Sequence, residues 1–331
     1  MATVMTRPPA AGGTPPPPRL SARRPAVGDR GFQYLALACG LLVLVVLALI
    51  AVAMVSKSWP VFRDHAGTFF FSKTWDPARN KFGSLAFVYG TLVTSAIAIV
   101  VGVPVSIGIA LLLTEVAPQW MRTPVVYVID LLAAVPSVVI GLWGLLVLRK
   151  PLDNRYADFN NWFKHIPVLN TLFSGGGHQG TSLMTAGLIL ALMITPIVTS
   201  LSREVFATVP AAQKEGALAL GATRWEMIRS SVLGYGRSGV VGAVMLGLGR
   251  AMGETIAVAL LVGSSAQVTG HLFRPGDTMA GVIANQFGEA SGEFRAALIG
   301  LGVVLFAITI LVNLGARAVL NRSERRLEGA L

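Results

Sequence analysis

Residues 35–56 read LALACGLLVLVVLALIAVAMVS, an apolar run without a single charged side chain. A helix rises about 1.5 Å per residue, so about 20 apolar residues cross the ~30 Å hydrocarbon layer of a bilayer. Five more runs of this kind follow along the chain, at 84–113, 123–148, 181–202, 238–263 and 296–316. The sequence therefore predicts an all-α polytopic membrane protein with six transmembrane helices.

The composition excludes several other classes of protein. Of 331 residues, 53% are apolar and 13% are charged, and the six runs hold only three charged side chains, Asp130, Arg250 and Glu254. This distribution rules out a disordered chain, a disulfide scaffold and an outer-membrane barrel. The net charge of +11 is typical of basic loops beside membrane spans. No nucleic-acid partner is expected.

The chain divides into three predicted segments. Residues 1–31 are rich in proline and arginine and predict a disordered tail, and residues 317–331 predict a basic C-terminal tail. Between them, residues 32–316 form the six-helix transmembrane domain, which includes the long polar loop 203–237. An even number of spans places both termini on one side, and the distribution of Lys and Arg favours the cytoplasm. Residues 278–289 predict a short interfacial helix outside.

Arg250 lies near the middle of the fifth run, where a charge is costly, and Glu254 follows four residues later on the same predicted helical face. A guanidinium offers a planar fork of donors that suits a tetrahedral oxyanion. Glu254 can orient that fork or accept a proton from the anion. The pair indicates a substrate pathway, and a structural ion pair between helices is the alternative.

Asp130 lies near the start of the third run, six residues before Pro136. It can face the same pathway, or its carboxylate can extend toward the membrane interface. Both interpretations stay open. Pro136 itself removes a backbone donor and predicts a kink in that span.

Glycines are frequent in the fifth run. Without a side chain they allow neighbouring helices to approach closely, and two of them have the GxxxG spacing. We expect helix packing at most of the positions, which are Gly239, Gly242, Gly247, Gly249 and Gly253.

The loop 203–237 predicts a helix, a turn and a second helix. The first helix is expected to stop at Gly221, and Thr223 with Glu226 three positions later forms a capping-box pattern that starts the second. Such a unit is either an amphipathic hairpin on the membrane surface or a docking element for a cytoplasmic partner.

Signatures of catalysis are missing from the sequence. Gly216 and Gly221 have the outer spacing of a phosphate-binding loop, but Ala222 stands where that motif requires lysine. The four histidines are scattered singly along the chain and suggest no metal site. We therefore expect a non-enzymatic chain that binds no cofactor.

The loop also resembles the signature of ABC importer permeases, in which it forms the coupling helix that enters a groove on the ATP-binding subunit. That resemblance assigns ATPase coupling to Glu215, Gly216, Ala217 and Gly221. The rest of the signature falls on Ser231, Leu233 and Gly234, with Gly216, Ser231 and Gly234 departing from its commonest residues.

Two further segments resemble the PstC-type permeases of phosphate ABC importers. They are residues 136–148, PSVVIGLWGLLVL, and residues 247–258, GLGRAMGETIAV. The resemblance implies a bacterial inner-membrane subunit that pairs with a sister permease. It further implies two ATP-binding subunits that use ATP and Mg, and an external phosphate-binding lipoprotein that delivers inorganic phosphate.

Two rival functions fit the same residues. One is a permease for another oxyanion, such as sulfate or molybdate. The other is a carrier driven by an ion gradient, with Asp130, Arg250 and Glu254 as a proton relay. A membrane enzyme acting on lipid phosphates is disfavoured, because no reactive cluster is visible at the interface.

Overall fold

The computed structural model describes residues 27–163 and 180–328. The chain divides into two units, residues 1–52 and 53–331. Most of the predicted N-terminal tail lies outside the described residues, and the first helix begins at Val27.

Thirteen helices account for most of the described residues. The first five are α1 Val27–Phe71, α2 Leu85–Leu111, α3 Gln119–Ala134, α4 Ser137–Trp143 and α5 Arg149–Phe163. The next five are α6 Leu183–Ala207, α7 Ala211–Ala219, α8 Arg224–Met227, α9 Leu233–Tyr235 and α10 Arg237–Gly253. The last three are α11 Ile256–Val262, α12 Met279–Gln286 and α13 Gly292–Glu328.

Short irregular elements connect some of these helices. Strands β1 (Trp75–Asp76) and β2 (Lys81–Phe82) form a small antiparallel hairpin after α1. Single π-helical turns extend α2, α4 and α8, at Leu112–Val116, Gly144–Leu148 and Ile228–Val232.

The predicted membrane spans are present in modified form. In the part of the chain that the structure describes, four helical segments are long and apolar enough to cross a bilayer on their own: Gly31–Asp64, Leu85–Val116, Leu183–Ala207 and Gly292–Ala318. Two bent pairs, Gln119–Ala134 with Ser137–Tyr156 and Arg224–Tyr235 with Arg237–Gly253, bring the number to six if each pair is one span. The chain is therefore an all-α, multi-pass membrane protein.

The third span is broken and not merely kinked. Pro136 disfavours the helical conformation at the residue before it, so α3 ends at Ala134 and Val135 is extended, with ψ 128°. The helices on either side of the break meet at 95°. The sequence correctly predicted that Pro136 disturbs the span, but the chain changes direction there by more than a kink would produce.

The fifth span differs from its prediction. Helix α10 stops at Gly253, Glu254 is extended with ψ 129°, and the short helix α11 follows. Helix α11 packs on α4, where a Cβ added to Gly141 would lie 2.6 Å from the Cα of Ala257. The backbones of two helices that each follow a break are thus in direct contact.

Glycines allow close approach between the longer helices. A Cβ at Gly187 would lie 2.6 Å from Ile97, which brings α6 against α2. In α10, Gly239 and Gly247 contact Val205 and Val198 of α6 in the same way. The GxxxG pair is different, since a Cβ at Gly249 or Gly253 would meet nothing within 4 Å.

Two segments near the C-terminus also bear on the sequence predictions. The helix predicted within 278–289 is present as α12. The segment from 317 onward, predicted as a tail, continues helix α13 as far as Glu328.

Asp277 precedes α12 and is 5% exposed. Its Oδ1 accepts a hydrogen bond of 2.8 Å from the backbone N–H of Thr278, the N-cap of α12. A Cβ at Gly90 of α2 would overlap the carbonyl oxygen of Asp277, so position 90 has no room for any residue larger than glycine. Burial raises the pKa of this carboxyl from 3.8 to about 6, against the lowering effect of the Thr278 N–H.

We expect Asp277→Asn to stabilise the protein at neutral and alkaline pH. Because burial raises the folded-state pKa, the charged form destabilises the fold, and stability falls as the pH rises from about 4 through about 6. The full effect is on the order of 3 kcal/mol. Thermal unfolding in detergent should show the midpoint gap between variant and wild type widening from about pH 5 to about pH 8. A gap independent of pH would contradict the assignment.

Candidate functional site

A cavity of about 820 Å³ runs along helix α10 and the C-terminal half of α13. Helix α6 contributes only Ile197. The α10 residues recur at helical spacing along one face of the helix. The lining consists of Ile197, Ser238, Gly242, Met245, Leu246, Gly249, Arg250, Asn313 and Arg317.

Arg250 lies in the last turn of α10, at one end of this cavity. Its side chain is exposed, and no carboxylate within residues 27–163 and 180–328 lies within ion-pair distance of it. Leu246, one turn earlier, is 58% exposed. An unpaired guanidinium therefore faces an open groove. The substrate-path interpretation requires such an arrangement, whereas a structural ion pair would place a carboxylate beside the guanidinium.

The helix that carries Arg250 does not continue through Glu254, although the sequence predicts that it does. The spacing of four residues places two side chains on one face only where the helix continues. Here α10 ends at Gly253, so Glu254 follows the helix in an extended conformation and makes no ion pair with Arg250. Its role at the pathway stays a prediction.

Asp130 is not brought together with Arg250. It faces a separate small cavity between α3 and α6, which it lines with Thr199, Ser200 and Arg203. The nearby cation is therefore Arg203, and the structure does not support a shared pathway for Asp130 and Arg250.

The loop 203–237 folds as predicted. Helix α7 ends at Ala219, and Gly221 adopts a φ of 87°, a left-handed conformation that favours glycine. The capping box then starts α8: Thr223 Oγ1 accepts from the N–H of Glu226, and Glu226 accepts from the N–H of Thr223 at 2.8 Å. We call residues 211–235 the hairpin.

An ion pair that the sequence analysis missed connects the hairpin to α2. Lys214 Nζ of α7 lies 2.5 Å from Oε1 of Glu115, in the π-helical turn that extends α2. The two side chains are 22% and 7% exposed, so the pair is largely shielded from solvent. The two residues are 99 positions apart, and no local pattern could have matched them.

The outer surface of the hairpin is apolar and unpacked within the chain. Leu218, Leu220 and Trp225 are 43%, 91% and 63% exposed, and Glu215 and Gly216 are exposed beside them. A cavity of about 520 Å³ lies on the hairpin and is lined by Ala212, Gln213, Gly216, Ala217, Leu220, Ser230, Ser231 and Tyr235. Exposed apolar groups around a concave surface are typical of a protein interaction site.

Sequence reasoning also missed the residues of α13 at the cavity. Asn313 and Arg317 are four residues apart and lie on one helical face, a spacing that the sequence does show. Arg317 was assigned to a tail because the apolar run ends at Ala316. Within the described ranges, no group of three His, Cys, Asp or Glu side chains is placed to hold a metal ion.

Comparisons with known proteins point in one direction. The family described as "Binding-protein-dependent transport system inner membrane component" matches residues 102–329. The phosphate transport system permease protein PstC of Xylella fastidiosa strain Temecula1 is 44% identical over 304 residues, covering 92% of this chain and 94% of that protein. PstC 2 of Mycobacterium tuberculosis is 43% identical and covers 89% and 93%.

Solved structures show the same fold. A bacterial ABC transporter involved in import of the acidic polysaccharide alginate superposes with a TM-score of 0.55 at 17% identity, covering 88% of this chain and 98% of that chain. A second alginate transporter structure, in complex with its pentasaccharide-bound periplasmic protein, gives 0.57 at 18% identity, with 90% and 98% covered. The chain therefore belongs to the inner membrane components of binding-protein-dependent transport systems, as a relative of the PstC permeases.

Proposed function

We propose that this permease forms half of the membrane path of an ATP-driven importer of inorganic phosphate, and that Arg250 is the group the anion meets during passage. The observation that carries the proposal is the unpaired guanidinium at one end of a cavity beside a membrane-crossing helix. Phosphate is named by the relatives at 42–44% identity, and its oxygens match the fork of donors.

The shape of the cavity supports a shared path. Arg250 and Leu246 are exposed along a groove that this chain does not close. A sister permease that covers the groove completes the passage and shields the cation from lipid. With a sister permease as the covering subunit, the proposed transporter is a heterodimer of permeases.

The hairpin supports a separate source of energy. Its exposed apolar residues Leu218, Leu220 and Trp225 are available for contact with a groove on an ATP-binding subunit, one copy for each permease. An external phosphate-binding lipoprotein delivers the anion on the opposite side. The hairpin and both termini then lie in the cytoplasm of a bacterium, and ATP and Mg are used by the partner.

The ion pair between Lys214 and Glu115 provides a route from the hairpin to the spans. Closure of the nucleotide subunits shifts α7, and the shielded ion pair transmits that shift to the end of α2. Helix α2 packs along α6, which in turn contacts α10 at Gly239 and Gly247. Movement of the hairpin therefore reaches the helix that carries Arg250.

We expect Arg250→Gln to reduce phosphate uptake by about a hundredfold or more, because charged hydrogen bonds to the passing anion are lost. Uptake of labelled phosphate by the reconstituted complex measures this effect, and co-purification of all subunits shows that assembly persists. Arg237→Gln is the matched control, since Arg237 is an exposed cation of the same helix outside the cavity. Normal uptake by Arg250→Gln would refute the substrate-path role.

The same preparation separates the rival transport functions. Stimulation of ATP turnover by the loaded phosphate-binding protein, without stimulation by sulfate, agrees with a phosphate importer. Uptake that continues without ATP while an ion gradient persists would favour a gradient-driven carrier instead.

The Lys214–Glu115 pair should couple ATP turnover to transport. Glu115→Lys places two cations together, so phosphate moved per ATP is expected to fall about tenfold. The double variant Glu115→Lys with Lys214→Glu restores the pair in reverse and should recover most of the loss. A double variant as poor as the single one would show that the attraction itself is not what matters.

Substitutions on the hairpin surface should weaken docking of the ATP-binding subunit. Gly221→Asp forces a side chain into a φ of 87°, and Glu215→Lys reverses an exposed charge beside the apolar surface. We expect either change to reduce co-purification of the ATPase or to uncouple its activity. Lys73→Gln serves as control, because Lys73 is an exposed cation between α1 and β1 and lies outside the hairpin. Full assembly and coupling in both variants would contradict the docking role.

A further inference from the structure

The cavity that contains Arg250 is lined by a second arginine, Arg317. Ser238 and Arg250 are twelve residues apart on α10, which corresponds to about 18 Å along the helix axis. Arg317 lines the cavity from α13, together with Asn313 one turn before it. Ser238 is near the hairpin end of α10, so the polar side chains that α10 contributes lie at the two ends of its lining.

These polar side chains lack partners within the protein. Among residues 27–163 and 180–328, Ser238, Asn313 and Arg317 make no side-chain hydrogen bond, and Arg317 forms no ion pair. Asn313 is half-buried, whereas Ser238 and Arg317 are exposed in this single chain. Several donors without internal acceptors face one cavity, as a site does when its acceptors arrive from outside the chain.

We propose that Arg317, Asn313 and Ser238 form a second oxyanion-binding station, on the hairpin side of Arg250, that receives phosphate before release. The guanidinium supplies charge and a planar fork, the amide of Asn313 supplies a further N–H donor, and the Ser238 hydroxyl can donate to a third oxygen. This inference rests on the proposed function, since it concerns the next position of the same anion.

Two separated cations suit passage better than one. A single strong site in the membrane would hold the anion, whereas a second attraction further along lowers the barrier to leaving the first. Arg250 and Arg317 line the same cavity from two different helices. The arrangement therefore favours transfer from one station to the next.

A lipid headgroup presents the same phosphate chemistry to an arginine near the end of a membrane helix. The two sources of phosphate are distinguishable by experiment. A transported anion competes with free phosphate on the release side, whereas a headgroup contact depends on the anionic lipid of the bilayer.

The test uses the complete complex in vesicles, with Arg317→Gln compared with wild type. We expect the maximal rate of phosphate uptake to fall about tenfold while the KM for the loaded binding protein changes little. Phosphate added on the ATPase side should inhibit the wild type, and the concentration needed for half-inhibition should rise about tenfold in the variant. Arg317→Lys should retain part of both properties, because it keeps the charge without the fork.

Arg295→Gln is the matched control, an arginine of the same helix that does not line the cavity. Unchanged uptake and inhibition in Arg317→Gln, while Arg250→Gln abolishes transport, would overturn the second station and leave the proposed function intact. A difference between Arg317→Gln and wild type that is present with phosphatidylglycerol and absent in pure phosphatidylcholine would assign Arg317 to lipid and also overturn it. A wild-type complex that takes up no phosphate would reject the proposed function itself.

Discussion

The architecture of this permease depends on the free energy of placing a charged group among membrane-crossing helices. A central arginine costs about 2.5–3.5 kcal/mol even on the lower scale derived from insertion experiments. Arg250 is nevertheless left without an ionic partner in the described part of its own chain, in the last turn of its helix. The packed glycines of α10 hold that helix against α6 on one side and leave the arginine side facing the groove. The charge of Arg250, the glycine packing of α10 on α6 and the open groove are therefore parts of one arrangement.

Hydropathy predicted six spans, and the structure agrees with that number if each bent helix pair is one span. Such a prediction is possible because the length of an apolar run depends only on bilayer thickness and helix rise. The caps of the hairpin were equally predictable, since Gly221, Thr223 and Glu226 act within one or two turns of backbone. Each of these signals is local.

The departures from prediction come from interactions across the fold. No residue between Arg250 and Glu254 predicts the end of a helix, because glycine is common inside membrane helices. The break at Glu254 accompanies the packing of α11 on α4, which the sequence does not show. Asp130 carried a charge signal, but its neighbours on α6 are about seventy residues away in sequence. Arg317 was hidden because hydropathy counts an arginine as the end of a span even where its helix continues.

The groove has one open side, and this shape affects the subunit before it meets any companion. A newly inserted copy exposes Arg250 to acyl chains, so the solitary chain is less stable in the bilayer than the assembled one. Synthesis of the covering subunit in matching amounts would keep the lifetime of the unassembled chain short. Covering the groove removes the guanidinium from lipid, so the exposed charge itself favours assembly with a partner.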